Sequence, residues 1–297
     1  MRVYIIARSI SRPVRERLQR GPFSARVLAA FEHACDLVTT DGDVVALVTP
    51  RAGDGPLNIV VNGMSKGFAT VEPGMPARLG GGRLQVGGLE VALDRAVVWE
   101  PCPDWKSLRA YRDAFIDRLP LLEALALQHA PERSLLALTS SRANGSSHPA
   151  EVGVSDGLFA AAQEAAESLQ AGWEGDPARL QAGAVQLAGL GGGLTPAGDD
   201  FLTGVMLWGW LTHSAPRPLC RLLVEAAAPR TTTLSAAFLR AAARGECSAA
   251  WHTLLMALSC GSDKEIAGTV QDVLTHGATS GADALAGFLW AGLHPAA

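Results

Sequence analysis

Charge is scarce in this chain of 297 residues. Asp, Glu, Lys and Arg make up 18% of it, below the roughly one quarter usual in soluble domains, and Ala and Gly fill the gap. The 25 basic residues against 29 acidic ones leave a formal charge of −4. No run of Lys and Arg supplies the basic face that a nucleic acid needs, which excludes nucleic-acid binding. Cysteine is also sparse. Cys35, Cys102, Cys220, Cys247 and Cys260 are odd in number and none is spaced CxxC, which excludes a zinc knuckle and a disulfide framework. They read as buried thiols of a reducing, cytoplasmic compartment. The opening MRVYIIARSISRPVRE lacks the apolar stretch of a secretory signal. The most apolar helical segment, Phe201 to Leu211, is too short to span a bilayer and contains Thr203. A soluble protein with no membrane partner is expected.

Hydrophobic residues make up 48% of the chain, ample for a core, and two textures divide it. From about Asp43 to Glu100, the segments DVVALVTP, PLNIVVN, GRLQVGG, LEVALD and RAVVWEP are short β-branched runs separated by turn signals such as RAGDGP. They predict a small antiparallel barrel or sandwich. Before them, Phe23 to Val38 has helical spacing, with Leu28, Phe31 and Cys35 on one face. After Trp105, helices are expected over Lys106–His129 (kinked or divided at Pro120), Asp156–Gln170, Pro177–Leu187, Asp199–Thr212, Pro218–Ala228, Leu234–Ala243, Ala249–Leu258, Asp263–His276 and Asp283–Leu293. SLLALTSS from Ser134 reads as one more strand, and Ser140 to Ser147 as a mobile loop. The fold class is therefore α+β: a β-rich N-terminal domain over residues 1–103, then a mainly helical domain over residues 104–297.

The helical part holds the most informative stretch, GLGGGLTPAGDD, Gly189 to Asp200. Gly191, Gly192 and Gly193 let the backbone approach a ligand closely. The loop opens a helix, whose free N–H groups and dipole accept an anion, and Thr195 adds a hydroxyl. Asp199 reads as the helix N-cap. With no GK[ST] and no nearby Lys, the segment is not a nucleotide P-loop.

Gly198-Asp-Asp200-Phe-Leu202-Thr-Gly204 is echoed by Gly281-Ala-Asp283-Ala-Leu285-Ala-Gly287, with Gly209 and Gly292 each five residues further on. Thr195 precedes the first copy, Thr279 and Ser280 the second. Two related helices packed with their N-termini side by side would bring Asp200 and Asp283 into one site. Converging carboxylates, with Asp199 beside them, can hold a cation such as Mg²⁺, do acid–base work, or accept hydrogen bonds from amide or ureido N–H groups. Arg230-Thr231-Thr232-Thr233-Leu234-Ser235 forms a third cluster. Its Thr residues read as a helix cap, Thr232, Thr233 and Ser235 offer hydroxyls to a substrate, and Arg230 is suited to clamp a carboxylate or phosphate. His148, His213, His252 and His276 form no HxxxH or HExxH pattern, and His276 alone falls near the site.

GLGGGLTPAGDDFLTG, TTTLS and ATSGADALAG, with DGDVVALV and GDGPLNIVV in the N-terminal part, resemble the signature of the AllH family. The chain departs from that signature at Gly192, where Pro is common, at Ala197, where Ser is common, and at His276, which lies further upstream of Ser280 than in the usual Gly-His-Thr-Ser-Gly. The resemblance implies a subunit of an oxamate carbamoyltransferase in allantoin breakdown. There, oxalurate and phosphate give oxamate and carbamoyl phosphate, together with other subunits, one of them similar to an acyl-CoA synthetase. Nothing like the STRT-type carbamoyl phosphate loop of ordinary carbamoyltransferases is present. Asp199, Asp200 and Asp283 are then the candidate catalytic or metal-holding residues. Gly191 to Gly193, Thr195, Arg230, Thr232, Thr233, Ser235, Thr279 and Ser280 are the candidate binders of a small anionic metabolite. The alternative is a non-catalytic scaffold or small-anion sensor in a multi-subunit complex.

Overall fold

The computed structural model describes residues 3–63, 67–131, 133–140, 156–173 and 175–294. Residues 141–147 of the expected loop, and His148, lie outside the described residues. The chain divides into two compact units, residues 1–103 with 247–249 and residues 104–246 with 250–297. The short segment Cys247–Ala249 belongs with the first unit although its sequence neighbours belong with the second.

The first unit contains β1 (Val3–Ser11), α1 (Arg12–Gln19), β2 (Phe23–Ala30), β3 (Ala34–Thr39), β4 (Val44–Val48), β5 (Asn58–Val61), β6 (Pro76–Gly80), β7 (Arg83–Val86), β8 (Leu89–Ala92) and β9 (Val97–Trp99). In the order β5-β4-β3-β2-β6-β7-β8-β1, with β1 pairing back onto β5, eight strands close into a barrel. Closure leaves an interior that side chains fill at this strand number. Ile5, Val27, Leu37, Leu47, Ile59, Leu79, Leu84 and Val91 fill it here. The barrel is mixed, not antiparallel throughout as the spacing predicts: β1 runs parallel to β8 and to β9, and β4 parallel to β5. A bulge between Ala7 and Ser9 kinks β1, so its first half pairs with β8 and its second with β9 and β5.

The helix expected over Phe23–Val38 is instead the antiparallel β2–β3 hairpin. Ala25 and Val27 are buried and Ser24 and Arg26 exposed, a period of two. Phe31, counted as part of a helical face, sits 55% exposed at the turn. Ala-rich strands imitate helices because Ala carries no β-branched signal.

The second unit is helical: α2 (Trp105–Arg109), α3 (Arg112–Gln128), α4 (Ala137–Ser140), α5 (Asp156–Trp173), α6 (Pro177–Leu187), α7 (Ala197–Thr212), α8 (Pro216–Ala227), a 3₁₀ turn (Ala228–Arg230), α9 (Thr233–Ala243), α10 (Ala249–Cys260), α11 (Asp263–Leu274) and α12 (Ser280–Leu293). The division expected at Pro120 falls instead at Ala110–Tyr111, and α3 continues through Pro120. Its buried stripe of Phe115, Leu119, Leu122 and Ala126 holds the helix together across the missing N–H. The strand expected from Ser134 is a turn leading into α4. Ser134, Leu135 and Leu136 are buried in succession without alternation. No helix among the described residues is long and apolar enough to cross a membrane.

The helices α7 and α12 form the centre of this unit. A Cβ added at Gly204 would lie 1.8 Å from the Ala284 carbonyl oxygen, and one at Gly287 would lie 1.9 Å from that of Phe201. The two backbones therefore touch, and each helix supplies the gap that the other fills. Trp208 meets Phe288 edge-on at 5.0 Å, and Phe201 packs against Trp290 at 5.7 Å, adding the favourable geometry of aromatic pairs on either side of the crossing.

Candidate functional site

The repeat in sequence is a repeat in space. Gly198 opens α7 against the end of α6, where an added Cβ would meet the Leu187 carbonyl oxygen at 2.1 Å. Gly281 opens α12 against the end of α11, where the Val273 carbonyl oxygen would be met at 1.9 Å. Two helix–loop–helix units thus pack through the same glycines, with α7 and α12 running in the same direction. Their first turns meet: the Thr195 and Ser280 hydroxyls are 2.9 Å apart.

The segment from Gly189 to Thr195 requires glycine at three points. Gly189, Gly191 and Gly193 have φ of +72°, +112° and +88°, the left-handed region open to glycine. A Cβ would also run into the Arg230 carbonyl oxygen at Gly189 and the Ala197 nitrogen at Gly191, both at 2.9 Å. Gly191, Gly192 and Gly193 are exposed, and nothing lies within 4 Å of a Cβ built on Gly192 or Gly193. The loop therefore presents open backbone beside the start of α7.

Asp199 is not the N-cap. Pro196 occupies that place and Asp199 lies in the first turn, 1% exposed. Its Oδ1 accepts the Gly189 N–H at 3.2 Å, and its Oδ2 accepts the Ser235 hydroxyl at 2.9 Å and the Thr231 hydroxyl. Burial raises its pKa, and these three donors oppose the rise. The first residue of the loop, the first turn of α7 and the start of α9 are fastened to one carboxylate. Thr232 caps α9, accepting the Ser235 N–H at 3.0 Å and donating to the Leu194 carbonyl at 2.5 Å. Thr231, outside the predicted set, does more here than Thr233, which is exposed. Arg230 meets the loop through its carbonyl, and its residue is exposed.

Asp200 and Asp283 occupy matching places in the two first turns. Asp283 is 0% exposed. Its Oδ1 accepts the Leu135 N–H at 2.7 Å, while its Oδ2 is buried without a partner, as is Oδ2 of Asp200. Burial raises the Asp283 pKa to about 6 against the pull of the Leu135 N–H and the Thr279 hydroxyl. Asp200 is raised well above the ordinary carboxylate range. Burial is the main cause, the Ser280 hydroxyl opposes it, and the charges of Asp283 and Asp199 add to it. Two neighbouring acids in a desolvated place favour a shared proton.

His276 lies at the end of α11 with its Nδ1 3.1 Å from the Asp272 carbonyl oxygen of its own helix. Among the described residues, no group of three or more His, Cys, Asp or Glu is arranged to hold a metal ion. The barrel has a cleft of its own, lined by Phe23, Ser24, Arg78, Gly80, Arg83 and Gln85, but none of these carries an orphaned buried polar atom.

Leu135 is a participant that no sequence pattern marks. It contributes a backbone N–H, which leaves no trace in residue type. Residues 187–292 match the family model described as oxamate carbamoyltransferase subunit AllH. Residues 6–98 match the model of the AllH family N-terminal domain. No solved structure matches the chain.

Proposed function

The chain belongs to the AllH family, and from that premise we propose that the paired first turns of α7 and α12 handle the ureido or carbamoyl substrate of an oxamate carbamoyltransferase. A subunit of such an enzyme works with other protein chains, and an acyl-CoA-synthetase-like protein is the partner we propose. The observation that carries the reading is the pair Asp200 and Asp283, each with a buried oxygen lacking a partner, beside the open loop Gly191–Gly193. A folded core has no need of such acids, since burying them unpaired costs free energy.

The reaction we infer is oxalurate and phosphate giving oxamate and carbamoyl phosphate. A phosphate oxygen attacks the terminal ureido carbon, and the bond from that carbon to the inner nitrogen breaks. That nitrogen gains a proton and the hydrogen phosphate loses one, so charge and atoms balance. Asp200, whose carboxyl is pushed by burial well above the ordinary carboxylate range, is suited to give a proton to the leaving nitrogen and recover one from phosphate. The open N–H groups of the loop and of the first turn of α7 suit the anionic end of the substrate. Arg230 and Thr233, both exposed, reach the anion only if the substrate extends along the loop. Asp199, with both oxygens engaged, positions that loop.

Asp200→Asn tests the reading. It keeps shape and removes the transferable proton, so activity of the assembled complex is expected to fall about 10²-fold or more, in line with loss of a general acid, with the melting temperature held or raised. Full activity in Asp200→Asn would favour a second reading, a non-catalytic subunit. That reading draws on Gly204 and Gly287, which serve helix packing.

A further inference from the structure

Five buried side-chain nitrogen or oxygen atoms lack a hydrogen-bond partner among the described residues, and three of them belong to residues tied to the first turns of α7 and α12. They are Oδ2 of Asp200, Oδ2 of Asp283 and Oγ of Ser134. Asp200 and Asp283 sit in the first turns of the two packed helices, and the charge of Asp283 adds to the raised pKa of Asp200. Ser134 directly precedes Leu135, whose N–H holds the other oxygen of Asp283, and it is 1% exposed. A hydroxyl finds a partner easily, because it rotates and both donates and accepts. One that is buried and unpaired, next in sequence to the residue that holds Asp283, marks room for something that is not protein.

The chemistry of the three atoms narrows what that is. A carboxylate or phosphate would set its negative oxygens against two acids. A bare cation would find two carboxylates and one hydroxyl, a poor shell for a hard ion. A neutral primary amide, H₂N–C=O, carries two N–H donors and one acceptor, which complements two carboxyl oxygens and one hydroxyl. We propose that Ser134, Asp200 and Asp283 form a subsite for the H₂N–C=O end of the substrate, with Ser134 as its specificity-determining residue. The inference rests on the reading above that this place binds substrate. It adds which end of the substrate enters and which residue selects it. Oxalurate and carbamoyl phosphate share that end, the carbamoyl group that is transferred, so one subsite serves both directions of the transfer, and oxamate presents the same H₂N–C=O group as a small probe. The anionic remainder is left to the loop Gly191–Gly193.

The experiment is calorimetric titration of the full chain, assembled with its partner subunits, using oxamate and oxalate as probes. Oxalate replaces the amide nitrogen by a charged oxygen at nearly constant shape. Oxamate is expected to bind at least about tenfold more tightly than oxalate, since a site built for N–H donors rejects an analogue without them. Ser134→Ala is expected to weaken oxamate about fivefold, the worth of one hydrogen bond, and to leave oxalate unchanged. Its melting temperature should be equal or higher, because an orphaned hydroxyl has been removed. A fall for both probes alike would mean a structural role and overturn the assignment. Oxamate binding that Asp200→Asn abolishes and Ser134→Ala leaves intact would overturn the role of Ser134 and keep the site. Equal binding of oxamate and oxalate would overturn amide recognition. No binding of oxamate by the wild-type complex would overturn the site itself.

Discussion

The Thr195 hydroxyl lies 2.9 Å from the Ser280 hydroxyl, so the starts of two helices far apart in the sequence meet side chain to side chain. Below that contact the two helices approach until Gly204 faces Ala284 and Gly287 faces Phe201. The separation of Asp200 from Asp283 is set by this packing.

Gly204→Ala or Gly287→Ala would place a Cβ within 2 Å of a backbone carbonyl oxygen. The helices must part, and a destabilisation of at least about 2 kcal/mol is expected in denaturant titration, in the range of overpacked cores. Gly268→Ala is the control: it is exposed in α11 with nothing within 4 Å, and should stabilise by about 0.5–1 kcal/mol. A wild-type midpoint for Gly204→Ala would sink the account of close approach.

Asp199→Asn separates a cap from a fastener. As a cap it would be nearly silent, since Asn caps about as well as Asp. The three donors on its carboxylate predict otherwise: an amide nitrogen would face either two hydroxyls or an N–H. A loss of about 1–3 kcal/mol is expected, typical of a disrupted buried bond to a charged group. Chemical denaturation of the purified variant decides between the two.

The stability of Asp283→Asn relative to wild type should depend on pH. The pKa of Asp283 in the folded chain is about 6, above its ordinary 3.8. Its contribution to stability is therefore fully present below about pH 4 and is lost as pH rises through about 6. The loss is on the order of 3 kcal/mol from a shift of about two pKa units. Asn mimics the protonated acid, so the variant should gain on wild type from pH 4.5 to pH 7.5 while losing activity. Denaturation curves that stay parallel across this range would contradict the buried, ionising Asp283.

The sequence revealed much of the helical unit and less of the barrel. Gly198, Gly204, Gly281 and Gly287 were legible as a repeat because backbone contact at those points tolerates no side chain. The strands β4, β5, β7, β8 and β9 were legible through β-branched runs between turns. The Ala-rich β2–β3 hairpin was not, and β6 was hidden by Pro76 and its closing glycines. Strand β1 escaped because Tyr4 and Ile6 are exposed, 61% and 51%, which erases its alternation. In the site, Asp200 and Asp283 announced themselves by their place in the repeat. The roles of Ser134 and Leu135 depend on where an irregular turn lands, and no periodicity encodes that.

The pairing of β1 also orders events during synthesis. Its partners β5, β8 and β9 all come later in the chain, so β1 is made before any edge it joins. It waits until the chain has grown at least through β5, and its full pairing waits for Trp99. Closure through distant partners is slow because a long loop must be ordered before any bond forms. β1 is accordingly the strand of this unit that stays unpaired longest as the chain is made.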